Sequence, residues 1–478
     1  MNVLLISTYE LGRQPFGLAS PAAWLRTAGI PVTCLDLSRE PLPEDVVRQS
    51  EFIAFYIPMH TATRLAIKIL PEIRRLNPSA HLCFYGLYAP VNGNYLRSLG
   101  AETVLGGEFE EALLHTVLEE RAQRIAQHAG TSHFETAQAG PTPASAGNGG
   151  CRQFEPAISL SRLQFLIPDR AGLPPLARYA RLEHPDGTTR VTGYTEASRG
   201  CKHQCRHCPV VPVYQGKFRI VQPEVVLEDI RRQVAAGAQH ITFGDPDFFN
   251  GIRHAITIIK ALHHAHPSLT YDVTIKVEHL LKHAAYLSTL RETGCLFVTT
   301  AVESLDDEIL ARLQKGHTRA DFLRAVELFR RAGLTLSPTF VAFTPWVSLQ
   351  GYCEMLEEID ELALVDHVAS IQLGIRLLIP AGSRLLELEE VRRFAPEFNE
   401  AELIYPWKHK DPRVDELYEK VQNVIQAGIH NQESRRAIFS KVHDAARKMA
   451  GLSAPRLSTL PVLVSRSSIP YLTEPWYC

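Results

Sequence analysis

The chain has 478 residues, 45% of them hydrophobic and 21% charged, with a formal net charge of −2. At roughly 100–200 residues per domain this is a globular protein of several domains. The charge balance argues against a basic surface for nucleic acid. The absence of any run of about 18 apolar residues argues against a membrane span. The opening residues lack the basic start and small-residue cleavage site of a signal peptide. Nine cysteines without such a leader point to a reducing, cytoplasmic setting, where clustered thiols bind metal or do catalysis.

Residues 1–125 alternate short apolar runs with helical spacing. Val3–Ser7, Val32–Leu35, Phe52–Tyr56, Leu82–Tyr85 and Val104–Leu105 read as buried parallel strands. Ser20–Ala28, with Pro21 at the first helical position, Thr61–Leu76, Tyr95–Leu99 and Glu108–Arg121 read as helices. This alternation predicts an α/β fold, here a doubly wound (Rossmann- or flavodoxin-like) domain. Residues 126–150 are dominated by Ala, Gly, Ser, Thr and Pro and read as a flexible linker, with 151–189 as a connecting segment.

Over 190–383 the units lengthen. Strands are predicted near Arg190–Ala197, Gln239–Phe243, Tyr271–Val277, Cys295–Val302, Leu334–Phe343 and Val368–Ile379. Helices are predicted at Pro223–Ala236, at Asn250–His264 with Asn250 as N-cap, at His279–Thr293 ending on Gly294, and at Thr318–Ala332 ending on Gly333. Six strand–helix units make a partial (βα)6 TIM-type barrel, whose reactive face is the strand C-terminal end. Residues 384–478 read as a helical extension and an irregular tail.

Directly after the first barrel strand stands Arg199-Gly-Cys201-Lys-His-Gln-Cys205-Arg-His-Cys208-Pro209. Thiolates are the ligands of iron–sulfur clusters. Spacings of four and three residues let one tight loop turn three sulfurs toward a single cubane. With no fourth ligand nearby, one iron stays open to a small molecule. Two bland readings stand beside this one. Structural zinc could take His203 or His207 as its fourth ligand, and an electron-transfer ferredoxin would want four cysteines.

Cys-x3-Cys-x2-Cys at the first loop of a strand–helix repeat resembles the radical S-adenosylmethionine (SAM) superfamily. The resemblance implies a [4Fe–4S] cluster on Cys201, Cys205 and Cys208, with SAM on the open iron. It implies reductive cleavage of SAM to start radical chemistry on a small-molecule substrate, and a flavodoxin- or ferredoxin-type electron donor. It points to Gly244, Asp245 and Asp247 at the end of the second strand as candidates for the SAM amino group. Lys276 and Glu278 end the third strand, and Glu303 and Ser304 end the fourth, facing the SAM ribose or methionine. The bland alternative for Asp245, Glu303 and Ser304 is a turn or a capped helix start. Pro338–Val341 and Gln372–Arg376 are further candidates for adenine or substrate.

A doubly wound domain before such a barrel resembles the cobalamin-dependent class, which makes cobalamin a candidate cofactor and methyl transfer a candidate reaction. The Asp-x-His-x-x-Gly ligand motif of that class is absent, and His60 and His81 read as structural. Thr8-Tyr9-Glu10 and Gly106-Gly107-Glu108 are candidate ligand loops or plain turns. The whole sequence is most similar to the CUAEP/CCAEP-tail radical SAM proteins, on Ser7–Gly12, Gln14–Pro21, the cysteine motif and Glu474-Pro-Trp-Tyr-Cys478. That resemblance makes Cys478 a candidate catalytic residue and implies a Cys–selenocysteine tail, an ending that a selenocysteine codon read as a stop would truncate. The alternative there is a frayed terminus with a chance cysteine. Cys34, Cys83 and Cys295 read as buried small hydrophobes, Cys353 lies on a helix, and Cys151 follows the linker. A non-catalytic cluster-binding or zinc-stabilised regulatory protein is the alternative from another class.

Overall fold

A computed structural model describes residues 1–131, 158–453 and 467–474. The chain forms two compact units, Met1–Thr8 with Gly17–Gly172, and Tyr9–Phe16 with Leu173–Cys478.

The first unit runs β1 (Val3–Ser7), α1 (Phe16–Thr27), β2 (Val32–Asp36), α2 (Glu44–Gln49), β3 (Phe52–Tyr56), α3 (His60–Leu76), β4 (His81–Tyr85), α4 (Gly93–Ser98), β5 (Thr103–Gly107), α5 (Glu110–Thr131) and β6 (Ile158–Ser159). The sheet order is β2-β1-β3-β4-β5-β6, all parallel. β1, β3 and β4 are buried along their whole length, as unbroken apolar strands covered on both faces must be. The order reverses at β1 and β3, the doubly wound arrangement.

Three local expectations are corrected. Pro21 lies inside α1, not at its start. A proline leaves the carbonyl four residues back without its helical donor, and here the Tyr85 hydroxyl donates to Gly17 O at 2.9 Å instead. The last helix extends through 126–131, where a linker was expected. Its Arg124 Nε donates to Glu120 Oε1 at 2.8 Å, and Nη2 donates to the Glu51 and Ser79 carbonyls. The short helix α2 carries no helical period long enough to read. The rest of the expected linker, and Cys151, lie outside the described residues.

The second unit holds β7 (Arg181–Glu183), β8 (Thr189–Thr195), β9 (Ser198–Gly200), α6 (Val210–Tyr214), β10 (Phe218–Ile220), α7 (Pro223–Ala235), β11 (His240–Phe243), α8 (Ile252–Ala265), β12 (Thr270–Thr274), α9 (Val277–Lys282), α10 (Leu287–Glu292), β13 (Cys295–Glu303), α11 (Asp307–Leu313), α12 (Arg319–Ala332), β14 (Thr335–Phe340), α13 (Leu349–Glu361), α14 (Glu389–Phe394), α15 (Pro412–His430), α16 (Arg435–Ala450) and β15 (Tyr471–Leu472). β8, β11, β12, β13 and β14 are parallel neighbours, and β7 and β15 extend the sheet antiparallel beyond β8. This is the curled sheet of a partial barrel.

The sixth strand is reduced to one parallel bridge, Phe343 with Arg376, and Ser370–Gly374 is a 3-10 turn. The Gln372 side chain takes over at the edge, its Oε1 accepting Phe340 N–H at 3.2 Å. The expected helix over 279–293 breaks at His283, whose ring packs edge-on against Phe249. Asn250 does not cap its helix. α8 starts after Gly251 with no side-chain cap, and Asp247 instead caps the 3-10 turn Phe248–Gly251 that leads into it, accepting Phe249 N–H at 3.1 Å. Thr318 and Asp321 form a reciprocal capping box at the start of α12, and Gly333 ends that helix.

Asp366 ties the C-terminal segment down. Its Oδ2 accepts Arg436 Nη2 at 2.8 Å and Ser468 Oγ at 2.7 Å, and its carbonyl accepts Ser467 Oγ at 3.0 Å. β15 then covers the edge of β7, an edge that would otherwise expose unpaired backbone. Asp366→Ala removes a buried anchor and is expected to cost about 2–4 kcal/mol. Thermal unfolding reads that loss, and hydrogen exchange at 181–183 should rise several-fold in the variant.

Candidate metal centre

β9 and β10 pair antiparallel, Phe218 opposite Gly200, and so fix both ends of the segment that bears the cysteines. Gly200 has φ +75°, and a β-carbon there would lie 2.6 Å from Lys217 O. Only glycine suits that turn. The loop lacks a ladder of its own, and its backbone is held by side chains and carbonyls from elsewhere. Lys202 N–H donates to Asn250 Oδ1 at 3.1 Å, and Asn250 Nδ2 donates to Gly200 O at 3.4 Å. Arg206 N–H donates to Leu313 O at 2.9 Å, and Arg206 Nη1 donates to Arg312 O at 3.0 Å. Ser383 Oγ donates to Arg206 O at 3.3 Å, and Arg384 Nη1 donates to Gln204 O at 3.0 Å.

Cys201, Cys205 and Cys208 are free thiols, Cys205 buried and the other two half-buried. Burial, then the Asp247 charge and Cys205, push the Cys201 thiol up to about 11. Burial, then Cys205, push Cys208 up to about 12, with Cys201 also contributing. Each of these two thiols feels its neighbours, so the side chains share one locality. Such thiols stay protonated at neutral pH unless a metal displaces the proton. The other described cysteines lie on β2, β4, β13 and α13.

Charged groups flank the thiols on two sides. Glu303 ends β13 at a register shift and has φ +70°, a left-handed conformation rare outside glycine. That kink goes with a buried carboxylate whose Oε1 is 3.2 Å from Lys315 Nζ and 3.1 Å from His207 Nε2. Burial alone would raise the Glu303 carboxyl, but the Lys315 charge and His207 outweigh it and bring it down to about 2. Lys315, 3% exposed, is shifted up by Glu303, Cys205 and Cys208 against the downward pull of burial. His317 lies beside this pair. Neither of its ring nitrogens makes a well-directed hydrogen bond, and burial, then Lys315 and Lys276, bring its pKa down to about 4.

On the other side Asp247, 1% exposed, has Oδ2 3.2 Å from His203 Nε2 and 2.7 Å from His279 Nδ1. Burial would raise its carboxyl, but the two imidazoles prevail and hold it below the usual range. Glu278 Oε2 lies 3.4 Å from both His203 Nδ1 and Lys276 Nζ. Lys276 occupies the N-cap position of α9.

The remaining expected residues have structural partners. A β-carbon on Gly244 would lie 1.8 Å from the Tyr194 hydroxyl, so only glycine fits beneath that ring. Asp245 Oδ2 accepts Ala197 N–H at 2.9 Å and Oδ1 accepts Ser198 Oγ at 2.5 Å, tethering the entry to the cysteine loop. Burial pushes the Asp245 carboxyl up to about 7. Ser304 Oγ accepts Asp306 N–H at 3.1 Å. It lies on the wall of a cavity of about 530 Å³ that also includes Asp307, Val341, Ser348 and Glu358. Cys478 lies outside the described residues. Lys315 belongs to the Lys315-Gly-x-Thr318 stretch that resembles the pattern of multi-domain radical SAM enzymes, and the structure pairs it with Glu303. Sequence reading missed Asn250 as a partner of the cysteine loop and His279 as a partner of Asp247. The signal available for Asn250 and His279 was their position in the segments that follow β11 and β12.

The barrel strands carry a polar face. Gly193 and Ile241 meet Gln233 of α7, so their face bears the helices. The paired residues one step along, Tyr194, Thr242, Asp272 and Phe297, turn to the other face, and Thr274 and Thr299 follow two steps later. Asp272 Oδ1 accepts Thr242 Oγ1 at 2.6 Å and contacts His240 Nε2 at 2.9 Å. Small hydroxyl side chains leave room where a closed barrel would be filled with branched apolar ones.

Residues 195–347 match the radical SAM superfamily, so the chain carries a radical SAM domain. The tRNA-2-methylthio-N(6)-dimethylallyladenosine synthase of Desulfosudis oleivorans is 27% identical over 274 residues, 55% of this chain and 52% of that one. The hopanoid C-3 methylase of Methylococcus capsulatus is 25% identical over 160 residues, 34% of this chain and 30% of that one. The chain thus spans about half the length of the first relative and less than a third of the second. Among solved structures, the cobalamin-dependent SAM radical enzyme OxsB in its apo form aligns with a TM-score of 0.66 at 14% identity, over 94% of this chain and 72% of that one. The radical SAM methyltransferase TsrM of Kitasatospora setae, solved with tryptophan and a SAM analogue, aligns with a TM-score of 0.59 at 17% identity, over 82% of this chain and 76% of that one. These likenesses are of fold. No helix among the described residues is long and apolar enough to cross a membrane.

Glu303→Gln leaves Lys315 buried beside a neutral amide and is expected to destabilise the metal-free chain by about 3–5 kcal/mol at neutral pH. In the wild type the lowered Glu303 pKa contributes stability above the unfolded carboxylate range, and that contribution fades as pH falls through about 2. Chemical denaturation from pH 7 to pH 2 should show that loss in the wild type and a flatter profile in the variant.

Proposed function

We propose that this chain is a radical SAM enzyme that reductively cleaves SAM at a [4Fe–4S] cluster held by Cys201, Cys205 and Cys208, and so starts radical chemistry on a small molecule. The observation that carries the reading is that three thiols share one externally clamped loop, with Cys205 close enough to influence both Cys201 and Cys208 electrostatically. That donor set fits a cluster with one iron free for the amino and carboxylate groups of SAM. The bound cluster supplies one-electron reduction of SAM, a chemistry beyond any side chain. The chain's own work is to hold and shield. Gly200 and Asn250 shape the loop, and Lys315 with Glu303 keeps balanced charge beside Cys205 and Cys208. The hydroxyl-bearing face of the barrel suits a polar small substrate. A flavodoxin- or ferredoxin-type protein is the matching electron source.

Cobalamin-dependent methyl transfer is the second reading, favoured by the β1–β3 reversal of the first unit and by the cobalamin-bound relatives in fold. Tyr56, Tyr85 and Phe109 fill the C-terminal edge of that sheet, and the Tyr56 ring rests on Gly17. Among the described residues His60, opening α3, is the imidazole that this unit has just past β3.

Anaerobic reconstitution with iron and sulfide tests the first reading. About four irons per chain are expected, with SAM-derived products formed on addition of dithionite. Cys201→Ala, Cys205→Ala and Cys208→Ala should each lose the cluster's visible absorption and SAM cleavage. A reconstituted chain with intact cluster absorption that leaves SAM whole would count against the enzyme and for a cluster-binding regulator. Parallel samples with hydroxocobalamin decide the second reading, since a methylated product should then require it.

A further inference from the structure

We propose that the cluster-free chain binds one divalent metal ion of the zinc class at Cys201, His203 and Asp247, and that this occupancy excludes cluster assembly. This site is distinct from zinc held by the three cysteines with a histidine, because it uses one thiol only.

The donors already converge. Cys201 Sγ, a ring nitrogen of His203 and a carboxylate oxygen of Asp247 all lie within 4.8 Å of one another. Ligand atoms on a tetrahedral zinc, bound at about 2.0–2.3 Å, sit roughly 3.3–3.7 Å apart. Closing the set around an ion therefore needs shifts of about 1 Å.

The polar atoms between these groups are also poorly served. Asp247 Oδ2, His203 Nε2 and His279 Nδ1 are buried, and none makes a well-directed hydrogen bond despite spacings of 3.2 and 2.7 Å. His203 and His279 compensate the Asp247 charge without a well-directed hydrogen bond, and a cation at the meeting point would give Oδ2 a directed partner. The other Asp247 oxygen is fixed by Phe249 N–H at 3.1 Å, so Oδ2 is held in place.

The surroundings are those of a built metal ligand. His203 turns Nε2 toward Asp247 while Nδ1 lies 3.4 Å from Glu278 Oε2. A ligating histidine is typically oriented by a carboxylate on its other nitrogen. His279, 2.7 Å from Asp247 Oδ2, orients the carboxylate, and water completes the coordination. Thiolate, carboxylate and neutral imidazole would balance the charge of a divalent ion, the single thiol proton leaving on binding. Because Cys201 serves both sites, zinc here and a cluster on the three cysteines cannot coexist.

Zinc chloride titrated into the full chain, stripped of metal under reducing conditions, tests this. One equivalent is expected, with affinity lowered at least about tenfold in Asp247→Asn and in His203→Ala, and nearly unchanged in a Cys205→Ala/Cys208→Ala double variant. With cobalt(II) as probe, the double variant should show a thiolate-to-metal charge-transfer band that Cys201→Ala lacks. Zinc-loaded wild type should take up less iron on reconstitution. Affinity lost in the double variant and kept in Asp247→Asn overturns the proposal, as does an absence of stoichiometric zinc. Circular dichroism of each variant separates unfolding from loss of a ligand, and the cobalt band in the double variant reads the site without altering Asp247. The result is independent of the cluster reading, because the double variant cannot assemble that cluster.

Discussion

A loop of eight residues with no ladder of its own cannot fix three side chains on one point. Its backbone must be held from outside, or the entropy of the free loop scatters them. Asn250, the Arg312 and Leu313 carbonyls, Ser383 and Arg384 do that holding here. They come from three separate places in the sequence: the turn after β11, the C-terminal end of α11 and the start of the helical extension. The barrel therefore acts as a jig. Its short parallel strands bring their C-terminal loops to one rim, and the cysteine loop is fastened to that rim.

Charge is arranged around this loop in two blocks. Lys315 with Glu303 and His207 faces Cys205 and Cys208, while Asp247 with His203 and His279 faces Cys201. Each block contains an acid and its own compensating bases, so neither buries an uncompensated charge. The first block is closed, its Glu303 carboxylate met by both lysine and imidazole. The second is misdirected in its hydrogen bonds, and that difference makes it the candidate for a cation of its own. The left-handed Glu303 is the point where a β-strand is kinked to serve the site, and a cost of order 1–3 kcal/mol for such a residue is repaid by the ion pair it permits.

The barrel is also completed by side chains where strands run out. Gln372 replaces a backbone donor–acceptor partner at the edge of β14, and the C-terminal segment covers the opposite edge at β7. Both devices solve one problem, the open edge of a sheet that does not close.

The sequence by itself determined the alternation of strands and helices in both units, because continuous apolar runs and 3.6-residue spacing are local signals. It also determined the cysteine motif, whose spacing is a local property of the chain. Helix ends with strong local chemistry, such as the stop at Gly333, were equally legible. What only the tertiary structure decided were the contacts made across the barrel rim. Asp245 tethering Ala197 and Ser198, Asn250 holding Gly200 and Lys202, and Lys315 meeting Glu303 all join residues far apart in sequence with no periodic signature. The collapse of the sixth strand was hidden for the same reason. Its apolar pattern suited a strand, and a distant packing choice, a glutamine side chain satisfying the neighbouring edge, settled the matter instead.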